Sequence, residues 1–119
     1  MVEDNPKIIV EYVSQAAVVT LTDEKILEES DIQALENSLT PLIEQTPGIK
    51  MVLDFTNVQF LSSSVLGMLI RTSKKIYESN GQLKLCNINE KIFQVFTITR
   101  LDRIFDIFKT QESALADLD

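Results

Sequence analysis

Side chains able to accept or hold a charged group are concentrated between Asp54 and Ser64. A strand-like run ends at Asp54, Thr56 and Asn57 follow it, and three consecutive serines, Ser62 to Ser64, precede a helical pattern. Free amides at a helix start bind hydroxyl or phosphate oxygens, and the helix dipole favours negative charge there by about 0.3 to 1 kcal/mol. A phosphoserine at this place is therefore compatible with the helix, and its charge would act on a docked protein.

The serine triplet also has two plainer interpretations. In the first, one serine is the N-cap of the helix and the others are solvated residues of its first turn. In the second, the free amides of the helix start bind a small anion or a nucleotide. The residue pattern alone leaves all three interpretations open.

The composition excludes most catalytic chemistry. The chain has 119 residues and no histidine, so an imidazole base, metal ligand or catalytic triad is impossible. The single cysteine, Cys86, lies in a strand pattern and is expected to be a small core residue. The glycines Gly48, Gly67 and Gly81 are too far apart for a phosphate-binding loop. We therefore expect no enzyme, no catalytic residue and no cofactor.

Charged residues indicate the class of partner. The net charge of −7 repels nucleic acid and anionic lipid, so neither nucleic acid nor a membrane is expected as a partner. Two groups of acidic residues could be imagined as metal ligands: Glu24, Glu28 and Glu29, and Asp102 with Asp106. We interpret both groups as solvated surface that holds no stable metal. The lone cysteine and the lack of a signal-like N-terminal segment predict a cytoplasmic location.

The second long helix also carries a basic group. Arg71, Lys74 and Lys75 are spaced to share one face, with Glu78 placed to pair with Lys74. This face is either an ordinary solvated surface or part of a surface that meets a partner.

Alternating strand and helix patterns predict an α/β fold. We expect a single domain over residues 1–119, with a mixed sheet of about four to five strands and helices packed against it. The predicted strands are 8–13 and 17–21 as a hairpin, 50–55 in the middle of the sheet, 82–86, and 101–105 as an edge strand or link. The predicted helices are 29–45, a second from the serine triplet to Asn80, 90–97 and 111–118.

Three local features of these helices are also predicted. Ser30 and Asp31 are expected to cap the first helix, and Pro41 to kink or break it near Thr40. Gly81 is expected to close the second helix in the left-handed conformation.

The segment from Val52 to Gly67, VLDFTNVQFLSSSVLG, resembles the signature of STAS domains, the family of bacterial anti-sigma factor antagonists. In that family a strand ends in Asp, and Asp-Ser-Ser-Gly-Leu-Gly or Asp-Ser-Thr-Gly-Leu-Gly opens a helix. Matched by Leu66 and Gly67, the family's phosphoacceptor falls on Ser63, with Ser62 and Ser64 as alternates. This chain has Ser62 and Val65 where the family has Asp and Gly.

The resemblance implies a function in partner switching. An unmodified family member binds an anti-sigma factor that is also a serine kinase, and phosphorylation of the acceptor serine releases it until a phosphatase resets the protein. The resemblance implies a partner-binding site at Ser62, Ser63, Ser64, Val65 and Gly67. Asp54, Thr56 and Asn57 are expected to neighbour it.

Two alternatives to this function stay open. The differences at Ser62 and Val65 are also consistent with a constitutive STAS interaction module, such as a scaffold or transporter accessory, that is never phosphorylated. The third alternative is a STAS module that binds a small molecule or nucleotide at the helix start.

Overall fold

The computed structural model describes residues 7–118, so the ends of the predicted domain, residues 1–6 and 119, lie outside it. Its strands are β1 (Ile8–Val13), β2 (Ala16–Leu21), β3 (Lys25–Ile26), β4 (Lys50–Asp54), β5 (Phe60–Leu61), β6 (Gln82–Cys86) and β7 (Asp106–Phe108). Its helices are α1 (Glu29–Gln45), α2 (Ser63–Glu78), α3 (Glu90–Ile98) and α4 (Gln111–Ala116), with a short 3₁₀ helix at Leu101–Arg103.

The main sheet is mixed and has five strands in the order β1-β2-β4-β6-β7. Strand β1 is antiparallel to β2, and the remaining neighbours are parallel. The α/β fold with a mixed sheet and a central β4 is therefore confirmed. Because parallel strands end at the same edge, the carboxyl ends of β2, β4 and β6 meet where β4 leads toward α2.

Side chains alternate between the two faces of the sheet, and each face has its own apolar core. Val19, Leu53 and Leu85 belong to the larger core, to which α1 and α2 contribute. Val18, Val52 and Cys86 form a smaller cluster on the opposite face with Ala114 of α4. Both faces of β4 are thus covered, which is why its three central residues, Met51 to Leu53, are all apolar.

The first helix differs from its prediction in two details. Helix α1 continues through Pro41, so of the predicted kink or break near Thr40 the break does not occur, and the kink stays a prediction. The proline removes only the hydrogen bond to the carbonyl of Asn37, and because Asn37 is exposed, water can bond to that carbonyl instead. The buried side chains of Leu39 and Ile43 hold the helix to the core on both sides of the proline. The N-cap is Glu28 and not Ser30, and Asp31 accepts a hydrogen bond from the Glu28 amide at 3.3 Å.

The connection from α2 to β6 also corrects a prediction. Asn80, with φ of 65°, takes the left-handed conformation that was assigned to Gly81. Gly81 donates its amide to the carbonyl of Ile76 at 2.8 Å, and a Cβ on it would lie 2.4 Å from the carbonyl oxygen of Ile49. Glycine is therefore required at this position by close backbone approach rather than by a positive φ.

Three further elements differ from the sequence pattern. The segment 101–105, predicted as an edge strand or a link, is a link that contains the 3₁₀ helix, and the edge strand follows it as β7. Strands β3 and β5 form a second, two-stranded parallel sheet that was not predicted. Lys84, at a polar position of β6, is buried and pairs with Asp106 at 2.8 Å and Asp117 at 2.9 Å.

Within residues 7–118, no helix has both the length and the apolar character needed to cross a bilayer.

Candidate functional site

The serine triplet lies at the start of α2. Ser62 is the N-cap residue with extended backbone, and Ser63 and Ser64 are the first two residues of the helix. Ser63 and Ser64 are exposed, whereas the Ser62 hydroxyl oxygen is buried and has no hydrogen-bond partner among the described residues. The hydroxyls of Ser63 and Ser64 are therefore the two that another protein can reach.

The first turn of α2 is electrostatically open. It contains no acidic residue, and the Ser62 side chain makes no capping hydrogen bond. Its positive helix end is thus not offset by a carboxylate on the helix itself. A negative group attached to Ser63 would lie next to amides that no side chain occupies.

Val65 and Gly67 differ in whether a partner protein can reach them. Val65 is fully buried in the larger core, and its amide donates to the Ser62 carbonyl at 3.1 Å. Its backbone is helical, so α2 opens without a glycine at this position. Gly67 is half-buried and lies one turn after Ser63, on the same face of the helix. A partner can reach Gly67, while the side chain of Val65 supports the helix from inside.

The small sheet of β3 and β5 fixes the end of the segment that leads to the serines. The amides of Gln59 and Phe60 donate to the carbonyl of Glu24 at 2.8 and 3.1 Å, and the Ser62 amide donates to the Ile26 carbonyl at 3.0 Å. This pairing brings Leu27 beside the serine triplet.

Leu27 and Phe60, which we call the apolar flank, were missed by the sequence analysis. They are 48% and 45% exposed, and Lys25 lies over the Phe60 ring. Such exposed apolar side chains next to polar ones are typical of protein-binding surfaces. In the sequence, Leu27 belongs to a short apolar pair, Ile26-Leu27, which has no helical or strand period, and Phe60 lies in the connection before the serines.

Asp54 lies at the end of β4 and is 5% exposed. Its carboxylate accepts hydrogen bonds from the amide and hydroxyl of Thr56, from Asn87 at 3.2 Å and from Gln111 at 3.0 Å. Burial alone raises the pKa of Asp54, but these hydrogen bonds together outweigh it and hold the pKa below its ordinary value. Asp54 is therefore an ionised, buried group that fixes the loop after β4.

The predicted neighbours of the site divide into two groups. Asp54 and Thr56 are joined to each other, and within residues 7–118 the hydrogen bonds of Asp54 go to Thr56, Asn87 and Gln111 and not to the serines. Asn57 donates to the Leu21 carbonyl at 3.2 Å and so ties the loop to β2. These residues shape the approach to α2 rather than contact the serine hydroxyls.

Amide side chains from other elements complete this loop and were not anticipated. Asn89 caps α3 by accepting from the Ile92 amide at 2.9 Å, and it donates to the carbonyls of Val58 and Gln59 at 3.3 Å each. Asn87 has a left-handed backbone, with φ of 56°. An asparagine before a helix is a recognisable capping signal, but its second role depends on tertiary contact.

The remaining candidates for chemistry are inert or structural. Burial, followed by the charge of Asp54, raises the pKa of Cys86 to about 12, so this thiol is a core group and not a nucleophile. In the described part of the chain, no three His, Cys, Asp or Glu side chains come together as a metal site. Arg71 pairs with Glu36 of α1, whereas the expected pair of Lys74 and Glu78 is not formed among the described residues.

Comparisons with known proteins agree on one family. A family model described as the STAS domain matches residues 8–114. The anti-sigma-B factor antagonist of Bacillus subtilis is 33% identical over 81 residues, which cover 68% of this chain and 72% of the relative. The anti-sigma F factor antagonist of Paenibacillus polymyxa is 25% identical over 115 residues, covering 97% of both chains.

A solved structure shows the same fold. The STAS domain protein of Planctomyces limnophilus, described as an anti-sigma-factor antagonist, matches with a TM-score of 0.82 at 24% identity. The match covers 92% of this chain and 96% of that one.

Proposed function

This chain belongs to the STAS domain family, and from that membership and the site geometry we propose that it is a phosphorylation-regulated anti-sigma factor antagonist. In this proposal the unmodified protein binds an anti-sigma factor that is also a serine kinase, which frees a sigma factor. Phosphorylation of Ser63 releases the kinase, and a phosphatase resets the cycle. The chain itself acts as ligand and substrate.

The position of Ser63 is the observation that carries the proposal. Its hydroxyl is exposed at the first residue of α2, and no capping side chain or acidic residue occupies that helix start. Ser64 is exposed as well and is the alternative acceptor. The hydroxyl of Ser62 is buried, which makes it a poor substrate for a kinase. The match of Leu66 and Gly67 to the family motif supports Ser63 rather than Ser64 as the proposed acceptor.

The chemical step requires ATP from the kinase. The Ser63 Oγ would form a bond to the γ-phosphorus of ATP while the bond from that phosphorus to the ADP oxygen breaks. The hydroxyl proton passes to a base of the kinase, and ADP leaves. The modified serine gains about −1.5 to −2 charges at neutral pH.

The proposed partner surface combines Ser63, Ser64 and Gly67 with the apolar flank. Burying Leu27 and Phe60 against a partner would remove their exposed area from water and favour binding. A phosphoryl group on Ser63 would bring a hydrated double charge into that contact, where its desolvation opposes binding. The same modification lies outside the core, so the fold should persist.

The acceptor is tested by incubating the purified protein with ATP, magnesium and each candidate kinase of the same genome, followed by mass spectrometry of the peptide that contains the triplet. We expect a phosphoryl group on Ser63, with none gained by Ser63→Ala and an undiminished gain by Ser64→Ala. Modification of Ser64 alone would move the site by one residue. No gain with any kinase would favour a constitutive STAS interaction module.

A further inference from the structure

The guanidinium of Arg71 lies over Gly67, on the side of α2 that leads back to Ser63. Ser63, Gly67 and Arg71 are spaced by four residues and share one face of the helix. Helical side chains lean toward the helix N-terminus, so Arg71 extends in the direction of Ser63. A Cβ added to Gly67 would lie 3.8 Å from Nη1 of Arg71. The missing side chain of Gly67 thus leaves room for the guanidinium one turn away from Ser63.

The present partner of Arg71 is Glu36 on α1. Nε of Arg71 donates to Oε2 of Glu36 at 3.1 Å, and Nη2 donates to Oε1 at 2.9 Å. The hydrogen bond from Arg71 is the main cause that lowers the pKa of Glu36. Within residues 7–118, Nη1 makes no hydrogen bond, so the guanidinium has donors left on the side of Gly67.

The pair is able to exchange partners. The Arg71 side chain is 57% exposed, so it is free to turn toward another partner, whereas that of Glu36 is only 14% exposed. Leaving Glu36 therefore has a cost, which the contact with the phosphate has to exceed. The other charged groups that act on this pair are Glu29 and Lys75, one of each sign. A phosphate is a stronger ligand for a guanidinium than one carboxylate, since it carries about −1.5 to −2 charges and three acceptor oxygens.

We propose that Arg71 is the residue that binds the phosphoryl group of phosphorylated Ser63, and that it gives up Glu36 to do so. Ser63 and Arg71 are eight residues apart, about 12 Å along the helix axis, and the phosphoryl group and the long arginine side chain extend into this gap from opposite ends. The bound phosphate would then lie along α2 over Gly67. This inference rests on the proposed modification of Ser63.

The test measures the second pKa of phosphoserine by ³¹P NMR titration at about 0.1 M salt, where the Debye length is about 10 Å. Phosphoserine is incorporated at position 63 during translation of the full chain, so no kinase is needed. Arg71 should lower this pKa from its ordinary value near 6 by about 0.5 to 1 unit, and Arg71→Gln should restore it. Arg71→Lys, which keeps the charge without the planar fork, should give an intermediate value.

Lys74→Gln is the matched control, because Lys74 is an exposed cation about three turns from Ser63 and beyond one Debye length. It should leave the phosphoserine pKa at the value of the parent protein. An equal pKa in the parent protein and in folded Arg71→Gln would overturn the proposal. Because the phosphoserine is placed by translation, this result is independent of whether any kinase modifies Ser63.

Discussion

Asp54 is a buried carboxylate that pairs with no cation within residues 7–118. Its charge is stabilised by neutral donors from three elements: Thr56 in the loop, Asn87 after β6 and Gln111 at the start of α4. Each donor holds a different part of the chain to the end of β4. Asp54 therefore acts as the anchor from which the loop to α2 is built.

Replacing Asp54 with asparagine should destabilise the protein by about 2 kcal/mol, because the new amide group faces donors and the charged hydrogen bonds are lost. Urea unfolding measures this change, and Asp102→Asn on the exposed 3₁₀ helix is the control. The folded-state pKa of Asp54 is lowered, so its contribution is complete above the ordinary pKa of 3.8 and is lost as the pH falls below it.

The difference in unfolding free energy between the parent protein and Asp54→Asn should accordingly shrink between about pH 5 and pH 3. A difference that stays constant over this range, or one that is absent at pH 7, would contradict the role given to Asp54.

At the scale of elements, sequence patterns located most helices and strands because each has a regular apolar period. The stripe of Ile32, Leu35, Leu39 and Ile43 marks α1, and the apolar run of β4 marks a central strand. Short elements carry no such period. The ribbon of β3 and β5 has two residues in each strand and depends on backbone pairing that no pattern encodes.

Two glycines of α2 and its C-terminal connection should respond to alanine in opposite ways. Gly67→Ala has room for the methyl group and should stabilise the helix by up to about 1 kcal/mol. Gly81→Ala places a methyl group against the carbonyl of Ile49 and should destabilise by about 1 to 3 kcal/mol. Thermal unfolding of both variants checks this, and stability changes of the same sign would be inconsistent with the backbone geometry.

Asn89 has two roles, as the N-cap of α3 and as a donor to the loop after β4, and substitutions can distinguish them. Asn89→Ser keeps an N-cap for α3 but is too short to reach the carbonyls of Val58 and Gln59, whereas Asn89→Ala loses both functions. Hydrogen exchange should show faster opening of residues 55–61 in both variants. Only Asn89→Ala should also lose about 1 kcal/mol of helix capping. Unchanged exchange in the loop of Asn89→Ser would show that Asn89 is only a cap.

At the scale of the whole molecule, the fold exposes two serines, Ser63 and Ser64, at the start of α2 and outside the apolar core. The sequence motif and the helix start predict Ser63 as the acceptor, with Ser62 and Ser64 as alternates, and this stays a prediction. Leu27 of the apolar flank and the amides that hold the loop could not be predicted, because they come from residues about 30 to 57 positions away that only the tertiary fold brings together. The pair of Arg71 and Glu36, between α1 and α2, escaped prediction for the same reason.

The most direct test is the affinity of the anti-sigma factor partner for the protein with and without a phosphoryl group on Ser63, measured by calorimetry. We expect phosphorylation to weaken binding by about 100-fold or more, equal to about 2.7 kcal/mol, with a Tm within a few degrees of the unmodified protein. Ser63→Ala, treated with kinase and ATP, should still bind. Affinities that agree within about tenfold, or a loss of binding caused by unfolding, would contradict the account.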